Sequence, residues 1–470
     1  MTYRRPARSS SATQRSHPYR WLDRLMGAGS LLVLAATIPA LLTAFGASPE
    51  VGVAEAARAT WAEPSDRTSG PDAGERSSLT PALPAPDPSV PPLPLVSPSP
   101  SPSPSPSASS PAGPTYPIPS TIDGTCVSDA TQRIRGWIAS VPDGSTLVFG
   151  ANACYRVEGS LIIQDRNGLT FDGNGATIRA TTRGQLTGCC DAQGRPYYSQ
   201  RRHLWFRGSH DITVRDLRVR GTNTTADQRS GFGSYDRRYE FEHAFAFEGC
   251  RNVLLQDVRA DAIWGDGLYL GPLAGDPSDG VRVLGFDVDR NGRQGVALSG
   301  AQNVLLDDVR VLHGRRAGFD LEPPPGWVRN VEISNSYTNT IGLAFAAGGR
   351  GDVSNIYIHH NTIDGPSVPW VYVQASDGTR RRDWRVWDNT VLRTLGSPQA
   401  ALLFTAVDGV DVRRNISRIA TTQSRMAVRF KDARGTLVVV DNDFSGACRP
   451  YAADAATAPV IARGNKTSSC

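Results

Sequence analysis

The chain has 470 residues, with 50 lysines and arginines against 45 aspartates and glutamates, and its formal net charge is +5. Arginine and aspartate alternate along the apolar segments and form no basic face, which argues against nucleic-acid binding. The sequence also lacks a phosphate-binding glycine loop, a zinc-ligand spacing and a Gly-x-Ser-x-Gly turn, so the function classes that depend on them are excluded.

The N-terminal region predicts export. Residues 1–24 form a basic leader with six arginines, and the uncharged, mostly apolar segment 25–47 is long enough to span a bilayer. Because a secretory signal normally has a shorter apolar region, we expect an uncleaved anchor with a cytoplasmic N-terminus. The small residues around Glu55 leave cleavage and secretion open. In both cases we expect the rest of the chain outside the cytoplasm, at the cell membrane or secreted.

Residues 48–119 are predicted to be a disordered linker. The stretch is rich in proline and serine and contains the run PSPSPSPSPS. Such a composition cannot bury a core and favours polyproline II, which acts as a semi-rigid spacer. The linker would hold the folded part, residues 120–470, away from a membrane.

A short cap helix is predicted at the start of the folded part, within Val127–Val141. Apolar residues recur there at helical spacing, at Ala130, Ile134, Trp137, Ile138 and Val141. Because a stack of repeats needs its open end covered, we expect this helix to form the cap.

Seven cysteines in an exported chain predict disulfides. We expect Cys126 to pair with Cys154 beside the cap, and Cys448 to pair with Cys470 at the C-terminus. The remaining three leave one thiol over: Cys189, Cys190 and Cys250.

A phrase that returns about every 25 residues predicts the architecture. Its copies alternate apolar and polar residues at period two and are rich in β-branched residues, as in NVLLQDVRA from Asn252 and NVLLDDVRV from Asn303. Repeats of this length bury a shared core only when they stack. The sequence therefore predicts an all-β fold, a single-stranded parallel β-helix of roughly ten coils. Asparagines near the turns are expected to stack as amide ladders: Asn252, Asn303, Asn361, Asn389 and Asn415.

A second strand in each coil predicts a continuous outward face. The hexads are HAFAFE from His243, DGLYLG from Asp266, QGVALS from Gln294, AGFDLE from Ala317, IGLAFA from Ile341 and PWVYVQ from Pro369. Their third and fifth residues are apolar and must point inward, so the fourth and sixth point outward. The third residues are expected to form one interior stack: Phe245, Leu268, Val296, Phe319, Leu343 and Val371. The outward columns are expected to be Ala246, Tyr269, Ala297, Asp320, Ala344 and Tyr372, and Glu248, Gly271, Ser299, Glu322, Ala346 and Gln374.

Asp320 and Glu322 are the strongest candidates for chemistry. Two residues apart on one strand, they share a face with Cα atoms about 7 Å apart. Small neighbouring residues would leave the two carboxylates on the floor of a trough that faces solvent. The distance between them suits the acid/base pair of an inverting glycosidase. We predict that Asp266 assists this pair. Substrate-binding residues are expected around the trough: Tyr269, Tyr372, Arg293, Gln294 and Ser299.

Three features have competing interpretations. The pair Asp320 and Glu322 could instead form ion pairs with nearby arginines that only stabilise a turn. Two stretches that interrupt the repeats, Thr181–Arg202 and Thr222–Glu242, mix arginine with aromatic residues and could either bind sugar or pack over the flank of the solenoid. The histidines His243, His359 and His360 are interpreted as turn residues.

The segment PDGSTLVFGANACYRVEGSLIIQDRNGLTFDGNGATI, from Pro142 to Ile178, strongly resembles the start of pectate-lyase-like right-handed parallel β-helix domains. The segments WGDGLYLG, NGRQGVALSG and AGFDLEP resemble a trio in bacterial and phage-type β-helix proteins that are linked to polysaccharide processing. A more distant resemblance connects Gly265-Asp266 with polygalacturonases and Gly318-Phe319-Asp320 with mannuronan epimerases. Leu321-Glu322-Pro323 stands where the epimerases have an imidazole.

Together, these features predict an extracytoplasmic, polysaccharide-active enzyme, foremost a glycoside hydrolase. The alternatives are a polysaccharide lyase or C5-epimerase in the same trough, and a non-catalytic β-helix that binds glycans or the cell wall. No cofactor is expected for the hydrolase, whereas a lyase could require calcium to neutralise a uronate. The expected partners are a polysaccharide or cell-surface glycan and, through the N-terminal segment, a membrane.

Overall fold

The structure, a computed structural model, describes residues 113–223, 231–324, 326–365, 369–375, 377–393, 400–418 and 426–469. The predicted leader, the apolar segment 25–47, most of the predicted linker and the pairing of Cys448 with Cys470 lie outside these residues. Within the described part of the chain, no helix has both the length and the apolar character needed to cross a membrane.

The described residues wind into a right-handed parallel β-helix, which confirms the predicted fold class. Its strands belong to two parallel sheets, of 23 and 11 strands in the described ranges. The strands of the smaller sheet are Leu161–Gln164, Leu204–Arg207, Phe245–Glu248, Leu268–Gly271, Val296–Leu298, Phe319–Leu321, Phe345–Ala347, Val371–Val373, Leu402–Thr405, Met426–Lys431 and Arg449–Ala453.

The strands of the larger sheet are Thr115–Pro117, Thr125–Asp129, Thr146–Val148, Cys154–Arg156, Thr170–Asp172, Thr177–Arg179, His210–Arg215, Arg218–Arg220, Arg251–Asp261, Ser278–Asp289, Ala301–Gly314, Trp327–Ser334, Tyr337–Thr340, Asp352–His359, Thr362–Asp364, Arg381–Trp387, Thr390–Arg393, Val407–Arg413, Ile416–Ser417, Arg434–Val440, Asp443–Phe444, Val460–Arg463 and Lys466–Thr467. A separate antiparallel pair joins Leu186–Gly188 to Tyr198–Ser199. The period-two alternation explains both parallel sheets, because every second side chain enters the shared core between them.

The interior stack forms as predicted except in one coil. Phe319 pairs with Phe345 and Phe345 pairs with Val371, so Phe345 fills the place expected for Leu343. The ring of Phe345 stacks on Phe319 with centroids 5.2 Å apart, whereas Leu343 is only half-buried. The register of this coil was therefore predicted two residues too early, because a shift of two preserves the inward and outward alternation. The residue beside Asp320 is Ala346 and not Ala344.

The N-terminal cap is shorter than predicted. A helix spans Thr131–Ser140 and buries Ile134, Trp137 and Ile138, but Val127 lies in the strand Thr125–Asp129 and is exposed. That strand pairs with Cys154–Arg156, and the sulfur atoms of Cys126 and Cys154 lie at disulfide distance, as expected. The strand Thr115–Pro117 pairs with Thr146–Val148, so ordered backbone begins within the range predicted as linker. Its proline-rich surroundings hid this pairing in the sequence.

The other cysteines also have defined surroundings. Cys189 and Cys190 form a vicinal disulfide in an exposed loop, and Cys250 is a buried free thiol. The uneven set of three cysteines thus resolves into one pair and one thiol.

Two rows of asparagines connect successive coils, and they include four of the five predicted asparagines. The fifth, Asn252, donates to the Oδ1 atom of Asp211 instead. In a buried row, each side-chain amide donates to the Oδ1 atom of the next residue at 2.9–3.0 Å: Asn361, Asn389, Asn415, Asn442 and Asn465. In an exposed row, each side-chain amide donates to the preceding coil, from Asn355 to Asn330, from Asn330 to Asn303 and from Asn303 to Asp279. These exposed asparagines have positive φ, a conformation that asparagine tolerates well.

The two interrupting loops pack against each other. Tyr198 contacts Phe241 with ring centroids 5.4 Å apart, and the Arg237 guanidinium donates to the Tyr198 hydroxyl at 3.1 Å. A short 3-10 helix, Arg237–Tyr239, lies in the second loop. The described parts of both loops therefore cover the flank of the solenoid, where they reach the predicted site.

Candidate functional site

Four consecutive coils of the smaller sheet bring the candidate side chains together. His243, Asp266 and the pair Arg293-Gln294 lie in the turns directly before Phe245–Glu248, Leu268–Gly271 and Val296–Leu298. Asp320 is the central residue of the strand Phe319–Leu321, and Glu322 is the first residue after that strand. Because neighbouring coils are about 4.8 Å apart, residues at equivalent positions become neighbours.

Arg293 lies at the centre of this cluster and bonds to two of its acids. Its guanidinium donates to the Oδ2 atom of Asp266 at 2.8 Å and also to the Oε1 atom of Glu322. Burial opposes its charge, but the carboxylates of Asp266 and Glu322 raise the pKa of Arg293 well above its ordinary value. The predicted alternative of an ion pair is thus real for Glu322, and one arginine links three coils.

Asp320 is held differently from its neighbour. The Nε2 atom of Gln294 donates to the Oδ2 atom of Asp320 at 2.6 Å. Burial, followed by the charge of Glu322, raises the pKa of Asp320 to about 7. Two carboxyl groups on one strand therefore have different partners: an amide for Asp320 and a guanidinium for Glu322.

Asp266 and His243 form the inner layer. The side chain of Asp266 is 0% exposed, its Oδ1 atom accepts from the Gln294 backbone N–H at 2.9 Å, and burial raises its pKa to about 6. Its own backbone N–H donates to the Nδ1 atom of His243 at 3.1 Å, which places the imidazole proton on Nε2. Burial and the charge of Arg202 lower the pKa of His243 well below its usual range, so the ring is neutral. His243 lies in a turn, as interpreted, but its ring also belongs to the cluster.

The expectation that Asp320 and Glu322 face solvent is wrong. They are 5% and 8% exposed. The glycine-rich turn at Gly349 packs directly on the backbone of Glu322, and the loop Gly231–Glu242 covers the neighbouring turns. Both covering segments come from outside the strand, so the alternation within Phe319–Leu321 carried no sign of them.

The predicted aromatic residues are present on the same face but are also covered. Tyr269 is buried and stacks on His243 with centroids 4.7 Å apart, and its ring occupies the space beside Gly271, where a Cβ atom would collide with it. Ser299 is buried beside it. Tyr372 is buried two coils beyond Asp320, and its hydroxyl donates to the Oε1 atom of Gln374 at 3.1 Å. The trough therefore has a closed floor and no open aromatic walls.

The loop Gly231–Glu242, one of the two stretches predicted either to bind sugar or to pack over the flank, adds Glu240, which the sequence analysis did not single out. The Tyr235 hydroxyl donates to the Oε2 atom of Glu240 at 2.8 Å, and the Arg316 guanidinium lies 4.8 Å from the centre of the Tyr235 ring. The charge of Glu240 also acts on Arg293. A signal was available, because Gly265 directly precedes Asp266 and Gly292 directly precedes Arg293. At both glycines a Cβ atom would collide with the backbone of this loop.

Two further observations concern metal ligands and the position of a groove. The described residues contain no group of three or more histidine, cysteine, aspartate or glutamate side chains placed to hold a metal ion. A groove of about 420 Å³ lies on the larger sheet, lined by residues that include Asp257 and Arg259, and none of the site residues takes part in it.

Comparison with known proteins finds similar solved structures at low sequence identity. No family model matches the chain, and no curated protein matches it. Among solved structures, an endo-xylogalacturonan hydrolase from Aspergillus tubingensis is 12% identical, with a TM-score of 0.47 over 76% of this chain and 93% of that chain.

Two other similar structures are an enzyme and an adhesin. A family 28 exopolygalacturonase from Yersinia enterocolitica is 12% identical, with a TM-score of 0.44 over 75% of this chain and 78% of that one. PfbA, a surface adhesin of Streptococcus pneumoniae, is 13% identical, with a TM-score of 0.38 over 74% of this chain and 89% of that one.

Proposed function

We propose that this β-helix hydrolyses a polysaccharide, with Asp320 as the general acid and Glu322 as the general base. The observation that carries this is the contrast within the pair. Burial raises the pKa of Asp320 to about 7, so it holds a proton near neutral pH, whereas the carboxylate of Glu322 accepts a hydrogen bond from the Arg293 guanidinium. Two carboxyl groups whose surroundings separate their protonation states are the usual basis for assigning an acid and a base.

The reaction would follow from these roles. Asp320 donates its proton to the glycosidic oxygen, while Glu322 accepts a proton from a water molecule that attacks the anomeric carbon. The bond between the anomeric carbon and the glycosidic oxygen breaks, and the products are a new reducing end and a free hydroxyl. Inversion requires the two carboxyl groups to lie about 6.5 to 9.5 Å apart, so that the water fits between them. The Cα atoms of the pair, two residues apart on one strand, are about 7 Å apart. Asp266, buried behind Arg293, acts as a positioning residue.

Elimination or epimerisation would require a base that abstracts a carbon-bound proton. Burial and the charge of Glu248 raise the pKa of the Tyr269 hydroxyl, and the pKa of Arg293 is raised as well, so both are poor bases. This favours hydrolysis over a lyase, and we propose no cofactor. Calcium belongs to the lyase alternative.

A second candidate, a non-catalytic glycan-binding protein, is favoured by one observation. Asp320 and Glu322 are 5% and 8% exposed, so a polymer could contact only the edges of their carboxyl groups. In that reading, the cluster stabilises the coils, and the glycan binds the surface above it.

Incubation with a panel of glycans tests the choice. Hydrolysis produces reducing ends without the ultraviolet absorbance of an unsaturated sugar, and Asp320→Asn and Glu322→Gln each lower turnover at least about a hundredfold. Activity falls as pH rises through about 7, because Asp320 then loses its proton. Unsaturated products indicate a lyase, and binding without products indicates the glycan-binding protein.

A further inference from the structure

We propose that Glu240 and Tyr235 form a subsite for an uncharged sugar beside Asp320 and Glu322, so that the substrate is a neutral polysaccharide and not a polyuronate. This inference rests on the hydrolase proposed above and adds to it the chemical class of the substrate. Three observations support it: the path of the loop, the unsatisfied oxygen of Glu240 and the charge of the cluster.

The loop Gly231–Glu242 crosses the turns that carry the cluster. A Cβ atom on Gly292 would collide with the carbonyl oxygen of Ser234, and one on Gly265 would collide with the carbonyl oxygen of Glu240. The side chain of Asn223 anchors the loop by donating to the Ser234 carbonyl at 2.8 Å and accepting from the Ser234 N–H at 3.1 Å. The loop therefore has a fixed place next to Asp266 and Arg293.

Glu240 brings an acceptor without a partner to this place. The residue is 4% exposed, and its Oε2 atom accepts from the Tyr235 hydroxyl. Its Oε1 atom is buried and has no hydrogen-bond partner in the part of the chain that the structure describes. A buried carboxylate oxygen without a partner is costly, and a sugar hydroxyl is a donor that would satisfy it. Tyr235, which is 37% exposed, would present its ring edge to the same sugar.

The charge of the cluster selects against an acidic sugar. Asp266, Asp320, Glu322 and Glu240 surround Arg293, and Arg316 is the second guanidinium close enough to act on Asp320. Arg293 is already bound to two carboxylates, and Arg316 lies over Tyr235. With Asp320 protonated, three carboxylates face the two guanidinium groups of Arg293 and Arg316, so the cluster is negative by one charge. Arg202, which acts on His243, is balanced by Glu248 at 3.8 Å. A uronate at this position would therefore be repelled.

The test measures binding in the Asp320→Asn background, where turnover is removed. The probes are a neutral polymer that the wild type hydrolyses or retains, for example a glucan, galactan or xylan, and two polyuronates, polygalacturonate and alginate. Glu240→Gln is expected to raise the Kd for the neutral polymer about tenfold, because it replaces a charged acceptor. Tyr235→Phe removes one hydroxyl from a half-exposed ring and is expected to raise the Kd about threefold. Glu332→Gln, on the larger sheet, is the matched control and leaves the Kd within about twofold.

Binding that prefers the neutral polymer and weakens in Glu240→Gln supports the subsite. Preferred binding of a polyuronate, or a Kd that is unchanged in both loop variants, overturns it. If Glu240→Gln does not fold, Tyr235→Phe decides by the same criterion. The proposed function fails separately: if Asp320→Asn keeps the turnover of the wild type, the catalytic assignment is wrong, whereas weaker binding in the loop variants still supports the subsite.

Discussion

Two features disfavour the ionised form of Asp320: its carboxyl group is buried, and a second acid, Glu322, lies two residues away. The amide of Gln294 satisfies one oxygen atom but supplies no positive charge. Between the ordinary pKa of 3.8 and the folded value of about 7, the folded state therefore holds a proton that the unfolded state has lost. Stability must fall as pH rises through that window and level off above it.

This sign gives the first prediction at the residue scale. In the wild type, we expect the free energy of unfolding to fall by about 2 to 3 kcal/mol more between pH 5 and pH 8 than in Asp320→Asn. The asparagine keeps an acceptor for Gln294 and cannot ionise. Urea unfolding at the two pH values measures the difference, and titration of Asp266 contributes to both proteins alike. Asp308→Asn, at an exposed position in the strand Ala301–Gly314, serves as the control and follows the wild type. An Asp320→Asn protein with the pH dependence of the wild type would show that Asp320 is ionised throughout.

The sequence predicted part of the cluster for a clear physical reason. The repeat places Asp266, Gln294 and Asp320 on neighbouring coils. Gln294 does bond to both acids, to Asp266 through its backbone N–H and to Asp320 through its side-chain amide. Their burial was not predictable from alternation, because the covering loop comes from an interruption of the repeat. Glu240 was missed for the same reason: it lies in that covering loop, where its hydrogen-bond partner is Tyr235, and only the glycines before Asp266 and Arg293 indicated a close approach.

At the scale of the element, strands were predicted more reliably than their register. A pattern of period two identifies which residues enter the core, and all of the predicted interior residues outside one coil are buried. It does not distinguish a strand from the same strand moved by two residues. In the coil of Phe345, the glycine-rich turn that follows the strand settles the register, through hydrogen bonds that Arg381 donates to the carbonyl groups of Gly348 and Gly351.

Two substitutions distinguish the predicted and observed registers. Phe345→Ala removes a ring that stacks on Phe319 and lies edge-on to Trp370, with ring centroids 6.3 Å apart. We expect this change to lower the free energy of unfolding by about 3 to 5 kcal/mol. Leu343→Ala should cost less than about half of that, because Leu343 is only half-buried. Chemical unfolding of both variants measures the difference. A larger loss from Leu343→Ala would support the register expected from the hexads.

At the scale of the whole molecule, a proposal about location rests on the N-terminal quarter of the chain, residues 1–112. We propose that residues 25–47 are retained as an anchor and that the β-helix lies outside the cell. Protease added to intact cells is expected to release the folded domain by cutting within residues 48–112, whereas the domain itself resists cleavage. The size and N-terminal sequence of the released fragment provide the measurement. A mature chain that begins after Ala56 would show a cleaved signal, and a domain protected in intact cells would exclude export.

Each of the two asparagine rows has a dipole along the axis of the solenoid, and the two dipoles point in opposite directions. In the buried row, the amides of Asn361, Asn389 and Asn415 all donate toward the C-terminal end, so their dipoles add. In the exposed row, Asn355 and Asn330 donate toward the N-terminal end. Bonds within such a chain polarise one another, and the two opposed chains partly cancel along the axis. Asn389→Leu would therefore do more than remove one side chain: it would divide the buried chain into two shorter dipoles and leave the opposing row unbalanced.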